Sequence, residues 1–122
     1  KKAQKIVQSV IDAGTPFNVI YAENDDMAKG AVAALDKANI SHGVNGDVVV
    51  MGFDCNKWAL EELLAGNWNY DGQCNPFQAS YIDEIIKTLE SGGTISEKTI
   101  IMDEKGFDAS TITQEDVDAY GI

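Results

Sequence analysis

Apolar positions along the chain recur with two different spacings, one typical of helices and one of strands. Helical spacing predicts helices over residues 3–13, 25–38, 57–65, 76–91 and 113–120. Between them lie short apolar runs of strand length, at residues 17–22, 48–53, 68–73 and 98–102. Because helices and strands alternate in this way in βαβ units, the sequence predicts an α/β fold with a Rossmann-like parallel sheet flanked by helices.

Individual residues mark where several of these elements begin or end. Gly14 and Gly66 are expected to end the first and third helices. Asn75 is expected to cap the fourth helix, with Pro76 at its first position, where a proline costs no hydrogen bond. The run "VVVMGF" at residues 48–53 is continuously apolar, which is typical of a strand covered on both faces.

Polar side chains follow three of the predicted strands at the point where each strand ends. They lie in the segments Ala22–Asp25, Phe53–Asn56 and Gln73–Asn75. In open α/β sheets, ligands bind outside the carboxyl ends of the strands. The sequence therefore predicts a ligand site built from three strand ends.

The acidity of the chain narrows the ligands that such a site can take. The 122 residues carry a net charge of −11, and every cationic side chain is a lysine. Nucleic acid and anionic membranes are bound through cationic contacts with phosphates, so neither is an expected partner. The lack of arginine also disfavours an anionic ligand, because the guanidinium fork is the usual partner of phosphate and carboxylate groups.

The acidic and amide residues at the strand ends fit more than one role. Asp25, Asp26 and Asp54 are the residue types of a magnesium pocket, but no lysine stands at the carboxyl end of the last predicted strand to complete a phosphoacceptor site. Asn24 or Asp25 alone fits a helix N-cap. Amides and carboxylates also match the hydroxyl groups of a neutral polyol, which both donate and accept hydrogen bonds. The residues by themselves leave these roles open.

Catalytic chemistry is not indicated by any motif. His42 lies in a glycine-flanked loop without an obvious partner, and the sequence contains no G-x-S-x-G motif or phosphate-binding glycine loop. Cys55 and Cys74 both fall just beyond predicted strand ends, where they form either a disulfide or two separate thiols. We expect no catalytic residue, no metal and no cofactor.

Three segments in order, "IYAENDDMAKGAVAAL", "VVVMGFD" and "GNWNYDGQCNP", resemble the type I periplasmic sugar-binding protein family. The resemblance runs from about Lys5 to Asp108 and is to the carboxyl-terminal part of a ribose- or galactofuranose-type solute-binding protein. It implies two Rossmann-like lobes, joined by a three-strand hinge, that close on a monosaccharide. The fold expected here is the carboxyl-terminal lobe in truncated form.

The resemblance also implies which residues contact the sugar. The asparagine of the family's "ND" motif falls on Asn24 and the aspartate of "GFD" on Asp54. For the third ligand, an ungapped match places Cys74, whereas Gln73 has the required chemistry and is the residue we favour. Asp25 and Asp26 are then expected to cap and polarise the following helix.

The family further implies how the chain is divided. Residues 1–75 form the sugar-binding face of the carboxyl-terminal lobe, residues 76–97 a helix that crosses to the amino-terminal lobe in full-length relatives, and residues 98–122 the return strand and tail. The apolar stripe of that helix would lack its usual partner here. We expect it to pack against the sheet or a second chain, which makes a homodimer of the fragment possible.

The implied function is recognition of a monosaccharide, a pentose or a hexose, for an ABC-type importer whose permease subunits are the partners. The implied location is extracytoplasmic, in the periplasm or as a cell-surface lipoprotein. Because the chain begins at Lys1 and not at a methionine, and Lys1 to Lys5 already have a helical pattern, the export signal is expected upstream of it. The alternative is the effector-binding domain of a LacI-type transcriptional repressor, which shares the fold.

Overall fold

The computed structural model describes all 122 residues. It contains α1 (Lys2–Asp12), β1 (Val19–Tyr21), α2 (Asp25–Lys37), β2 (Val49–Asp54), α3 (Lys57–Leu64), β3 (Tyr70–Gln73), α4 (Ala79–Glu90), β4 (Gly106–Asp108) and α5 (Gln114–Tyr120). The chain divides into two compact units: residues 1–74 with 105–122, and residues 75–104. The predicted alternation of helices and strands is confirmed from α1 to α4.

The strands of the first unit form one sheet in the order β1-β2-β3-β4. The pairs β1–β2 and β2–β3 are parallel, as predicted, whereas β4 runs antiparallel to β3. Since β1, β2 and β3 are parallel, their carboxyl ends lie side by side along one border of the sheet, the edge formed by the strand ends. A ligand site of such folds is expected at this edge.

One face of the sheet carries the hydrophobic core. Helices α2 and α3 pack against the strands, α1 packs on α2, and α5 packs on α3. Val50 and Phe107 point from the sheet into this core, where Trp68 is fully buried and meets the ring of Trp58 edge-on, with centroids 5.9 Å apart. These aromatic and aliphatic contacts fix α3 on the strands whose ends form the candidate site.

The opposite face of the sheet is partly exposed. Val19, Tyr21 and Val49 are 50%, 64% and 37% exposed, and the ring of Tyr21 lies 5.0 Å from that of Phe53. The ring of Phe53 in turn meets that of Tyr70 at 6.2 Å. The expectation that residues 48–53 are covered on both faces is therefore wrong within this chain, because the helices of the unit pack against only one face.

The helix of the second unit begins later than predicted. It starts at Ala79, and its N-cap residue is Gln78 rather than Asn75. The Oδ1 atom of Asn75 instead accepts a hydrogen bond from the backbone N–H of Phe77, 2.8 Å away, which forms a local turn and delays the helix. No residue of α4 is buried, and Ile82, Ile86 and Leu89 along its apolar stripe are all exposed.

The strand predicted over residues 98–102 is not formed. Ile101 is 87% exposed, and this segment has no strand partner. The free edge of β3 is paired instead with Gly106–Asp108, whose Phe107 is buried in the core. A strand forms only where its backbone groups find partners, so the apolar pattern alone gave the wrong position for the last strand.

The remaining boundaries agree with the sequence. Gly14 and Gly66 follow α1 and α3 with φ angles of +66° and +81°, the left-handed conformation that ends many helices. Thr113 caps α5 in a reciprocal capping box with Asp116.

No helix is both long and apolar enough to cross a membrane.

Candidate functional site

The carboxyl ends of β1, β2 and β3 bring the three predicted ligand residues to one edge of the sheet. Asp54 ends β2 and Gln73 ends β3, and the two residues are paired in register. Asn24 follows β1, whose ladder with β2 continues through the hydrogen bond from Ala22 N–H to the Met51 carbonyl, 3.0 Å long. All three side chains are half-buried, so each is anchored in the lobe and still reaches solvent.

Asn24 is the N-cap residue of α2. Its Oδ1 accepts a hydrogen bond from the backbone N–H of Met27 at 2.9 Å, and its backbone is extended. The expectation that Asp25 and Asp26 cap this helix is wrong, because Asn24 is the N-cap residue. Both aspartates do lie in the first turn, the position expected of residues that polarise the helix, where a negative charge interacts favourably with the helix dipole. The Nδ2 group of Asn24 makes no hydrogen bond within the chain and is available as a donor.

Asp54 has an unusual backbone and an unsatisfied carboxylate. Its φ angle is +131° and that of Cys55 is +59°, so two successive residues other than glycine adopt conformations with positive φ. The carboxylate of Asp54 accepts no hydrogen bond within the chain. Burial, followed by the negative charge of Asp26, raises the pKa of Asp54 above its ordinary value.

Gln73 is held by the segment that leads into β4. Its backbone N–H donates to the carbonyl of Lys105 at 2.8 Å, and its Oε1 accepts from the backbone N–H of Lys105 at 3.2 Å. Lys105 is itself fixed by its ammonium group, which lies 3.1 Å from Asp116. The Nε2 group of Gln73 keeps both hydrogens unpaired. Cys74 is exposed and lies beyond the strand, outside the register that pairs Gln73 with Asp54.

The turn after β2 is tied to the start of α2 by a buried carboxylate. Oδ2 of Asp25 accepts hydrogen bonds from the backbone N–H of Asn56 at 2.8 Å and from its Nδ2 at 3.1 Å. Asp25 and Asp71 are both completely buried. Sequence reasoning did not identify Asp71, although the alternation of β3 places it opposite to Tyr70, on the face that carries the core.

Other candidate residues are engaged elsewhere or lie apart. The ring nitrogens of His42 lie 2.8 Å from the carbonyl of Asn67 and 3.0 Å from Asp36, so this histidine links the last turn of α2 to the segment that follows α3. The structure contains no group of three or more acidic, histidine or cysteine side chains placed to hold a metal ion. No disulfide joins Cys55, which is buried, to Cys74, which is exposed.

An open α/β sheet whose parallel strand ends carry half-buried amides and a carboxylate has the arrangement in which α/β domains bind their ligands. The chain belongs to the periplasmic binding protein domain family, whose model matches residues 1–92. The predicted family and fold class are thereby confirmed.

Comparison with individual proteins gives the same result. The fructose import binding protein FruE of Bifidobacterium longum (strain NCC 2705) is 35% identical over 92 residues, which are 75% of this chain and 27% of FruE. The galactofuranose-binding protein YtfQ of Escherichia coli (strain K12) is 26% identical over 100 residues, 80% of this chain and 31% of YtfQ. The crystal structure of a galactofuranose binding protein matches with a TM-score of 0.84 and 23% identity, over 98% of this chain and 40% of that one. The chain thus spans between 27% and 40% of the length of these proteins.

Proposed function

We propose that this chain is part of the sugar-binding lobe of a solute-binding protein that serves an ABC-type importer, and that Asn24, Asp54 and Gln73 contact the sugar. The observation that best supports this proposal is the partial burial and the unused hydrogen-bonding atoms of these three side chains. Each is half-buried at the end of one of three consecutive parallel strands, and each keeps hydrogen-bonding atoms that no residue of the chain uses.

The unused atoms match the chemistry of a sugar hydroxyl. Nδ2 of Asn24 and Nε2 of Gln73 are donors, whereas both oxygens of Asp54 are acceptors. A hydroxyl group both donates and accepts, so two neighbouring hydroxyls of a pentose or hexose satisfy all three side chains. The net charge of −11 and the lack of arginine favour a neutral ligand over an anionic one.

The importer role is preferred over that of a repressor domain. FruE and YtfQ, the relatives compared above, are named as sugar-binding proteins, and FruE as one that acts in import. By this analogy the protein acts outside the cytoplasm, in the periplasm or as a cell-surface lipoprotein, and delivers a pentose or hexose to permease subunits.

The site is expected to be completed by structure that this chain does not contain. The partly exposed sheet face around Tyr21 and Phe53 is apolar, and parallel sheets are normally covered on both faces. We assign residues 1–75 to the sugar-binding lobe, 76–97 to the crossing helix and 98–122 to the return segment. The exposed stripe of α4 is then a docking face for the other lobe or, in the isolated chain, for a second copy.

An NMR titration of the 15N-labelled full-length protein with fructose, galactose and arabinose tests the sugar site, because the isolated chain holds only part of the site and is expected to bind a sugar weakly or not at all. We expect selective shifts of the side-chain amide signals of Asn24 and Gln73. Asn24→Asp keeps the oxygen that caps α2 and Gln73→Glu keeps the oxygen that binds Lys105, but each removes the free donor. Both variants should therefore fold normally, and the side-chain amide signal that remains in each of them should no longer shift with sugar.

Two exposed positions away from the three strand ends provide charge-matched controls. Asn18→Asp lies before β1, at the opposite edge of the sheet, and Gln114→Glu begins α5. Both controls should respond to sugar as the natural sequence does. If no sugar shifts the signals of Asn24 or Gln73, or if the controls lose the response as well, the assignment of the site is wrong.

A further inference from the structure

We propose that Asp25 and Asp71 share a single proton, and that this buried carboxyl pair positions the turn Asp54–Asn56 at the edge of the sheet. Asp25 lies at the start of α2 and Asp71 in β3, so the pair joins two elements that flank the turn. The proposal rests on the geometry of the core and does not depend on the sugar site.

The two carboxyl groups meet in a space that a missing side chain provides. Gly52 is the register partner of Asp71, and a Cβ atom at position 52 would lie 2.6 Å from Oδ1 of Asp25. The carboxyl group of Asp25 therefore lies over Gly52, directly beside Asp71, and the two side chains are within hydrogen-bonding reach of each other.

A proton between the two groups accounts for their unpaired oxygens. Oδ1 of Asp25 and both oxygens of Asp71 are buried, and apart from the backbone amide of Cys55 near Asp71 they have no hydrogen-bond donor in the chain. Two ionised carboxylates are acceptors only and repel each other, whereas a carboxylic acid donates to a carboxylate. One shared proton thus removes a buried charge and supplies the missing hydrogen bond.

The surroundings indicate which residue carries the proton. Asp25 accepts two hydrogen bonds from Asn56, which stabilise its ionised form. Asp71 has only the nearby backbone amide of Cys55 to favour ionisation, and burial together with the charge of Asp25 raises the pKa of Asp71 to about 8. Asp71 is therefore the protonated carboxylic acid, and it donates a hydrogen bond to the ionised carboxylate of Asp25.

No cation competes with the proton for this pair. The four ion pairs of the chain involve neither residue. Burial raises the pKa of both carboxyl groups, and the negative charge of Asp54, at the end of β2, raises it further, while the charge of Asp26 adds to the effect of burial on the pKa of Asp54. The side chains that α3 and β4 contribute to this core are apolar: Ala59, Leu60, Leu63 and Phe107.

Loss of the proton would disturb the turn that carries Asp54. The ionised pair is repulsive, and Asp25 holds both the backbone N–H and the side chain of Asn56, two residues beyond Asp54. Movement of Asp25 away from Asp71 would release the turn, whose Asp54 and Cys55 already have positive φ angles. Asp25 and Asp71 are positioning residues, since neither is exposed to a ligand.

The test follows the side-chain carboxyl 13C signals of Asp25 and Asp71 and the amide signal of Asn56 as pH rises from about 4 to about 10. We expect one of the two carboxyl groups to ionise only near pH 8, and the Asn56 amide to shift in the same step. If both carboxyl groups are ionised by about pH 5, or if the Asn56 amide does not follow the titration, the proposal is overturned. This measurement needs no variant and remains decisive if a variant fails to fold.

Urea unfolding of Asp71→Asn adds a thermodynamic test. Asp71 is protonated in the folded chain and ionised in the unfolded one, so its contribution to stability is full below about pH 4 and is lost as pH rises to about 8. The unfolding constant of the natural chain, relative to that of Asp71→Asn, should therefore rise about tenfold per pH unit across this range. A flat ratio contradicts the proposal.

Asp108→Asn is the matched control for that comparison. Asp108 is an exposed carboxylate of β4 whose pKa is lowered by hydrogen bonds from Ser110. Its contribution to stability is present above the unfolded pKa and is lost only as pH falls through the folded one. The ratio for Asp108→Asn should thus stay flat between about pH 5 and about pH 8. A ratio that varies here as it does for Asp71→Asn would exclude a specific role of the buried pair.

Discussion

Asp54 and Gln73 are register partners at the ends of two parallel strands, and they present opposite hydrogen-bonding roles side by side. The carboxylate of Asp54 accepts no hydrogen bond within the chain, while Gln73 uses its oxygen for Lys105 and keeps its Nε2 group free. Because the two residues stand on neighbouring strands, the donor of Gln73 and the acceptor of Asp54 are placed to bind adjacent hydroxyl groups of one ligand. The rigid ladder between β2 and β3 sets their separation before any ligand arrives.

Asp54→Gly should stabilise the fold while it removes a proposed sugar contact. At φ +131°, a residue with a Cβ atom is strained, and relief of that strain is worth about 1 kcal/mol. The variant also removes a carboxylate whose pKa is raised, so its gain in stability should grow as pH rises above about 4. Urea unfolding at several pH values measures both effects. Asp47→Gly, an exposed site before β2, is the control and should give no gain, and an equal gain there would contradict the explanation from strain.

Asn24→Ala should destabilise the chain by about 1 kcal/mol, because it removes the oxygen that caps α2. Asn24→Asp retains that oxygen and should unfold at nearly the same urea concentration as the natural sequence. A comparison of the two midpoints separates the role of Asn24 in the helix from its proposed role in sugar binding. Equal destabilisation by both variants would show that the amide donor itself supports the fold.

Gly52→Ala should cost about 1–3 kcal/mol, because the core has no room for a methyl group at this position. Its Cβ atom would lie 2.6 Å from Oδ1 of Asp25 and 2.7 Å from the Cζ3 atom of Trp68. Gly14→Ala provides the contrast, since its φ is +66° but no atom lies within 4 Å of the added Cβ. Thermal unfolding measures the loss of stability. Near-ultraviolet circular dichroism of the folded variants should show a weakened tryptophan signal only for Gly52→Ala, and an unchanged spectrum of this variant would argue against a clash with Trp68.

The position of the candidate site was predictable because it follows from topology. Three strand ends with polar residues define an edge where parallel strands must end together, and this alone brings Asn24, Asp54 and Gln73 to one side of the sheet. The strand-end rule needs only the order of the elements and no knowledge of side-chain packing. That is why the structure brings these three residues together as the sequence predicts, although the cap of α2 was assigned to the wrong side chains.

The parts that were mispredicted depend on partners that a local pattern does not reveal. Residues 98–102 are as apolar as a strand, yet Gly106–Asp108 takes the edge of β3, because Phe107 fills the core. The pairing of Asp25 with Asp71 was missed for the same reason, since it depends on the register that places Gly52 beside Asp71. Each outcome was decided by contacts between residues far apart in the sequence.

The exposed stripe of α4 predicts self-association of the isolated chain. Ile82 and Ile86 are 52% and 48% exposed, although side chains of this size contribute about 1.5–3 kcal/mol when fully buried. If a second copy covers the stripe, light scattering should show a dimer, and Ile82→Asp with Ile86→Asp should weaken the association at least about tenfold, because charges are disfavoured in an apolar interface. Glu84→Ala, an exposed substitution on the same helix, should leave the dimer intact. A natural chain that remains a monodisperse monomer at high concentration would contradict the prediction.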